Sequence, residues 1–139
     1  MVILDTDHIT EFDRAAGVGA LLRGRLRQTD HEVATTIVSI EEQLRGWLAL
    51  IKSRQSDPRR QIEGYTRLQS RLEFVEEWIV LPWNSAAADT FVGLRRQKLR
   101  LGTMDLKIAS IVLPQNATLL TRNTGDFSKV RGLRIENWL

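Results

Sequence analysis

The 139-residue chain contains no cysteine, which removes disulfide frameworks, thiolate metal sites and cysteine nucleophiles together and permits a reducing compartment. Histidine is nearly as scarce: His8 and His31 have none of the short spacing that zinc sites use, so a zinc centre is disfavoured. The three prolines, Pro58, Pro82 and Pro114, each stand at the boundary of a periodic segment, and no linker, repeat or low-complexity tract divides the chain. One continuous domain over residues 1–139 is therefore expected. No apolar stretch approaches the roughly 18–20 residues that span a bilayer, and Met1-Val2-Ile3-Leu4 runs straight into Asp5 and Asp7. These features predict a cytoplasmic protein without a membrane partner.

What is present is the balance of a globular protein, with 42% hydrophobic and 27% charged residues. Lysine and arginine number 20 against 17 acids, a net charge of +3, and only four of the basic residues are lysine. The positive charge is therefore mostly guanidinium, which matches phosphate bidentately where ammonium does not. It is concentrated. Seven basic residues against two acids lie between Arg45 and Arg71, and five against Asp105 alone between Leu94 and Lys107. Such runs supply phosphate affinity without sequence choice, and they also serve as ordinary solvated helix faces. Four tryptophans could stack on bases, but Trp47 falls in a helical apolar stripe and Trp78 and Trp83 flank a short apolar run, which favours core or subunit contacts.

Short β-branched or apolar runs at Val2–Leu4, Glu32–Thr36, Ile79–Leu81, Thr118–Thr121 and Leu133–Ile135 predict five strands. Helical periodicity lies between them: Leu21, Leu22 and Leu26 share a face, Leu44, Trp47, Leu48 and Ile51 repeat at helical spacing, and Tyr65, Leu68 and Leu72 continue it. Residues 105–113 form another apolar helix. Strands alternating with helices predict an α/β fold with a mainly parallel sheet covered on both faces, whose ligands bind beyond the carboxyl ends of the strands.

Four acids fall near that edge. Asp5 follows the first strand, Glu42 the second and Asp126 the fourth, while Asp105 opens a helix after Gly102 and the potential cap Thr103. Each has an ordinary structural role available: Asp5 or Asp7 as a helix cap, Glu42 in a capping box with Ser39, Asp105 in a first helical turn, and Asp126 in a turn. Together they would repel one another unless a cation sat among them, and an all-oxygen set suits a hard divalent ion such as Mg²⁺. A phosphoacceptor receiver domain also begins with acids after a first strand. It needs a further Asp after the third strand, where this chain has Pro82-Trp83-Asn84.

The segments Ile3-Leu4-Asp5-Thr6-Asp7, Ser39 to Gly46, Asp105-Leu106-Lys107-Ile108-Ala109, Thr121-Arg122-Asn123 with Asp126-Phe127, and Gly132 to Trp138, in this order, resemble the PIN domain, and within it the VapC-type toxins of prokaryotic toxin–antitoxin pairs. The resemblance implies a three-layer α/β/α fold with a mainly parallel five-stranded sheet. It also implies a metal-dependent endoribonuclease using Mg²⁺ or Mn²⁺, an RNA substrate, neutralisation by a cognate VapB-like antitoxin, and a homodimer. Carried onto this sequence, it puts Asp5, Glu42, Asp105 and Asp126 in the catalytic set, with Asp5 and Asp105 binding metal. Asp7 stands where similar sequences often have Asn, leaving it either a ligand neighbour or a cap, and Gln43 replaces a usual apolar residue. Asn123 and Asp126 both fall at the fourth position. A non-catalytic PIN-like module that holds RNA or a peptide is the alternative from a different functional class.

Overall fold

The computed structural model describes residues 1–139. The first half of the chain runs β1 (Val2–Leu4), α1 (Thr6–Phe12), α2 (Val18–Gln28), β2 (Val33–Thr36) and α3 (Ile37–Ser53). It continues through a short 3₁₀ turn to α4 (Ile62–Glu77), β3 (Ile79–Leu81), α5 (Ser85–Arg96), α6 (Thr103–Val112), β4 (Thr118–Leu120), α7 (Thr124–Phe127) and β5 (Arg134–Glu136). All five expected strands form, with boundaries shifted by at most one residue, and they pair in the order β3-β2-β1-β4-β5. Every pairing is parallel. The chain builds outward from β1 to β3 and then returns to place β4 on the other side, so the strand order reverses between β1 and β4. Such a reversal opens a crevice at the carboxyl ends of those two strands.

The central strands are buried on both faces, as in parallel sheets generally, and are mostly apolar; the buried Thr35 hydroxyl donates to the Leu4 carbonyl at 2.9 Å. Successive side chains point to opposite sides: Ile3, Ala34 and Leu119 pack with Leu94, Ile108 and Val112 under α5 and α6, whereas Val2, Leu4 and Leu120 pack with Ile9, Leu22 and Leu26 under α1 and α2. Helix α3 contributes to both layers, through Val38 and Ile40. The expected three-layer α/β/α architecture is the observed one.

Several helical expectations need correction. Leu22 and Leu26 are buried, but Leu21 is 75% exposed, because the apolar face of α2 is narrower than its leucine content suggests. Tyr65 and Leu72 likewise point outward from α4. The cap of α3 is Thr36, whose Oγ1 accepts the Ser39 N–H at 3.0 Å, so Ser39 is the third helical residue and no capping box with Glu42 exists. Gly102, without a side-chain cap, precedes α6 in place of Thr103.

Helix α1 is held by close backbone packing and by one ion pair to a buried arginine. A Cβ on Gly19 would meet the carbonyl oxygens of Glu11 and Arg14 at 2.2 and 2.5 Å, so α2 can cross the end of α1 only with glycine there. Asp13, which ends α1, pairs with Arg71 of α4, and Arg71 in turn lies over the Phe74 ring, 4.2 Å from its centroid. Phe74 stacks on Trp78 at 4.3 Å and Phe12 meets Trp78 edge-on at 4.9 Å, which accounts for Trp78 as a packing residue. Gly19→Ala should destabilise the fold by about 1–3 kcal/mol through overpacking, whereas Gly24→Ala, with open space around the added methyl, should stabilise α2 by about 0.5–1 kcal/mol. Denaturant unfolding of the two variants checks this contrast; equal effects would contradict the packing assigned to Gly19.

Candidate active site

The crevice between the ends of β1 and β4 is where the acidic residues gather. The Asp5 N–H donates to the Leu120 carbonyl at 3.1 Å, so the residue after β1 is fastened to the last residue of β4. Asp5 is buried and does cap α1: its Oδ1 accepts the His8 N–H at 2.9 Å. The cap does not exhaust the group. The structure gives its second carboxylate oxygen no protein donor.

His8 is the residue that sequence reasoning undervalued. It is fully buried, with Nδ1 3.1 Å from Asp5 Oδ1, and the backbone N–H of Trp138 donates to its Nε2 at 3.3 Å. An Nε2 that accepts must carry a lone pair, so in the neutral ring Nδ1 bears the hydrogen and donates it to Asp5. His8 therefore orients the Asp5 carboxylate and is itself oriented by the chain beyond β5. A signal existed in the Asp5-Thr6-Asp7-His8 spacing, which is that of a cap and its third helical residue.

Glu42 lies one and a half turns into α3, and with Thr36 as the cap it is free of the role first assigned to it. Glu41, its neighbour, pairs outward with Arg45 at 2.5 Å. Glu42 faces the crevice: Asp105, Asp5 and Asp7 all act on its charge, and its pKa is raised, chiefly by burial and then by those carboxylates. Its Oε1 is buried without a hydrogen-bond partner. Thr6 lies near enough to favour the charged form, although its own buried hydroxyl closes no bond of normal geometry. Gln43 has a reason to be polar, since it is buried and its Nε2 donates to Thr10 Oγ1 at 3.1 Å, tying α3 to α1.

Asp105, in the first turn of α6, is also raised in pKa by burial and by Asp5, Asp126 and Asp7, against the lowering effect of a hydrogen bond from Asn123. Asn123 Nδ2 donates to Asp105 Oδ2 and to Asp126 Oδ2, each at 3.1 Å. Of the two candidates for the fourth position, Asn123 thus stands between Asp105 and Asp126. Asp126 is different in kind. It is half-exposed, and Lys129, 2.7 Å from its Oδ1, together with Asn123 holds its carboxyl below the ordinary range.

Asp5, Glu42 and Asp105 therefore share one electrostatic neighbourhood with Asp7, and Asp126 acts on Asp105 from its rim. No three acidic or imidazole groups close into a ligand shell of their own. The donor set fits a hard divalent ion that keeps several waters and takes one or two direct carboxylates. All donors are oxygen, Glu42 and Asp105 are raised in pKa by burial and by neighbouring carboxylates, and Glu42 Oε1 is buried with nothing to bind.

The two basic runs differ in how far they are paired. Between Arg45 and Arg71, Arg45 pairs with Glu41, Arg54 and Arg67 with Glu63, and Arg71 is buried against Asp13, so Arg71 offers nothing to a ligand on the surface. Arg95, Arg96, Lys98 and Arg100 precede α6 and its Asp105, are exposed, and make no ion pair. This second run is the free positive charge next to the acids in the chain.

No family model matches the sequence. Over 45 residues the chain is 42% identical to ribonuclease VapC2 of Rickettsia felis, a match spanning 32% of this chain and 34% of that relative. Among solved structures, a chain of VapBC2 from Rickettsia felis bound to a promoter DNA fragment superposes over 100% of both chains with a TM-score of 0.72 at 20% identity. A chain of FitAcB from Neisseria gonorrhoeae gives 0.73 at 22% identity, covering 99% of this chain and 98% of its own. VapC20 of Mycobacterium tuberculosis, described as a sarcin–ricin loop cleaving toxin, gives 0.60 at 11% identity, covering 98% and 99%. The three-layer fold with its parallel five-stranded sheet is the fold of these chains.

Proposed function

We propose that this chain is a metal-dependent endoribonuclease, the VapC-like toxin of a toxin–antitoxin pair, neutralised by a VapB-like antitoxin. The observation that carries the reading is the convergence of Asp5, Glu42 and Asp105 on the β1/β4 crevice, with the pKa values of Glu42 and Asp105 raised chiefly by burial and further by neighbouring carboxylates, Asp5 and Asp7 acting on both. The fold shared with chains of VapBC complexes and with a sarcin–ricin loop cleaving toxin supports it, as does the short stretch of 42% identity to a ribonuclease.

Asp5 and Asp105 are the residues that would hold Mg²⁺ or Mn²⁺. When bound, such an ion acidifies a water and neutralises charge on a phosphoryl oxygen. The chain supplies the rest. His8 fixes the Asp5 carboxylate by donating to Oδ1, leaving Oδ2 for the metal side. Asn123 sets the Asp105 carboxylate and links it to Asp126, which Lys129 anchors at the rim. Glu42 Oε1, buried and unpartnered, is the acceptor available to orient a water and take its proton. In this assignment Asp126 acts through Asn123 and touches neither metal nor substrate.

Partner binding belongs to the same proposal. Exposed Ile37, Leu72 and Trp83 line shallow clefts beside the edge strand β3 and its exposed Ile79, an apolar surface that suits a homodimer contact. The solved VapBC relatives support an antitoxin partner.

Purified protein with Mg²⁺ or Mn²⁺ should cleave structured RNA, EDTA should silence it, and Asp5→Asn or Asp105→Asn should lower the rate by at least about 100-fold, the scale of losing a metal-supporting or charge-stabilising group. RNA binding without metal-dependent cleavage would favour the non-catalytic module instead.

A second expectation follows from the raised pKa values. Below the ordinary carboxylate range Glu42 and Asp105 are protonated in both folded and unfolded chains and cost nothing. As pH rises through that range the unfolded chain releases these protons first, so stability falls, and the penalty is complete above the folded-state values. At neutral pH in EDTA, Glu42→Gln and Asp105→Asn should therefore raise Tm, by about 3–5 °C each for a domain of this size. Thermal denaturation checks the sign, and a lower Tm for both would contradict the electrostatic strain described here.

A further inference from the structure

Glu11, in α1, is a buried carboxylate that no part of the metal-site argument uses. Its Oε1 accepts from Arg14 Nη1 at 2.8 Å and from Arg122 Nη2 at 3.2 Å. A single buried acid needs one counter-charge, and Arg14 already supplies it at the shorter distance. The second guanidinium is redundant for neutralisation. It is also half-exposed, and the structure gives its other N–H groups no acceptor.

The position of Arg122 is fixed by the turn that builds the acidic site. Thr121 Oγ1 accepts the Asn123 N–H at 2.9 Å directly after β4. Within that turn Asn123 reaches Asp105, while Arg122 reaches the α1 wall at Glu11. Glu11 lies four residues after Asp7 on the same face of α1, a separation of about 5–6 Å between Cβ atoms. Asp7 itself acts on both Glu42 and Asp105. One helical turn thus separates the acidic crevice from a guanidinium with spare donors.

We propose that Arg122, braced by buried Glu11, binds a backbone phosphate of the RNA adjacent to the scissile one. The inference rests on the endoribonuclease reading and deepens it by assigning a residue that positions substrate. Arginine suits the role because its planar fork can hold Glu11 through one nitrogen and present the others to phosphate oxygens, which a lysine ammonium cannot do with the same geometry.

The test is binding of a fluorescent single-stranded RNA oligonucleotide to the full chain in EDTA, so that affinity is read without metal-dependent cleavage, across a salt series. Arg122→Ala should weaken binding roughly tenfold and reduce the salt slope by about 1, as loss of one phosphate contact does. Arg122→Lys should recover the slope but only part of the affinity. Arg27→Ala removes the same charge from the exposed last turn of α2, which leads into the amino end of β2 at the edge of the sheet opposite the crevice, and should change neither. A salt slope and affinity unchanged in Arg122→Ala, with only a lower Tm, would overturn the phosphate role and leave Arg122 a structural partner of Glu11. Failure of the wild-type chain to bind RNA at all would overturn the nuclease reading together with this inference.

Discussion

The structure turns on a repulsion. A parallel sheet buried on both faces delivers Asp5 from β1 to the point where the strand order reverses, and α3 and α6 bring Glu42 and Asp105 to the same crevice. Burial already disfavours the charges of Glu42 and Asp105, and the neighbouring carboxylates of Asp5 and Asp7 make both harder to ionise. Hydrophobic packing elsewhere has to hold this arrangement together, and the apolar layers under α1 and α2 and under α5 and α6 do so through Ile3, Leu4, Leu119 and Leu120, all fully buried. A cation placed among the acids relieves the repulsion directly. In the proposed reading, the stability of the fold and the chemistry of its crevice therefore oppose one another unless a cation is bound.

Much of the remaining structure keeps α1 in position, because this helix begins at Asp5 and carries Asp7, His8 and Glu11. Four separate devices converge on it: the glycine crossing at Gly19, the Asp13–Arg71 pair to α4, the Gln43–Thr10 hydrogen bond to α3, and the His8–Trp138 contact to the end of the sheet. Each is short-ranged and polar or steric, and each sets orientation. The Asp13–Arg71 pair illustrates the point, since burial pushes the Asp13 carboxyl up and the Arg71 guanidinium down in pKa even though the two neutralise one another. Such a pair is weak support for stability and serves register better.

The fold was legible in the sequence because its information is local. Three-residue β-branched runs ending at Asp5 and at Pro82, and helical repeats between them, predict the sheet before any contact is known. Asp5 and Asp105 were legible by position after a strand and at a helix start. Glu42 was legible as a candidate, but its capping-box alternative could be dismissed only by the backbone, where Thr36 takes the cap. What stayed hidden depends on residues distant in sequence. His8 is tied to Trp138 across 130 positions, and Arg122 to Glu11 across 111. The outward turn of Leu21 and the burial of Arg71 were hidden for the same reason, since periodicity gives a face without saying what covers it.

Charge carries the functional account. The excess of +3 averages an acidic crevice and an arginine-rich surround, and the two differ in how fully they are neutralised within the protein. Much of the Arg45–Arg71 run is consumed in ion pairs, whereas the Arg95–Arg100 run, which precedes α6 and its Asp105, is not. The most direct test of the central claim is calorimetric titration of Mn²⁺ into the purified chain beside Asp5→Asn and Asp105→Asn, with folding of each variant confirmed by circular dichroism. The account requires saturable Mn²⁺ binding by the wild type that both substitutions weaken by about tenfold or more. Equal Mn²⁺ affinity in all three proteins would contradict it.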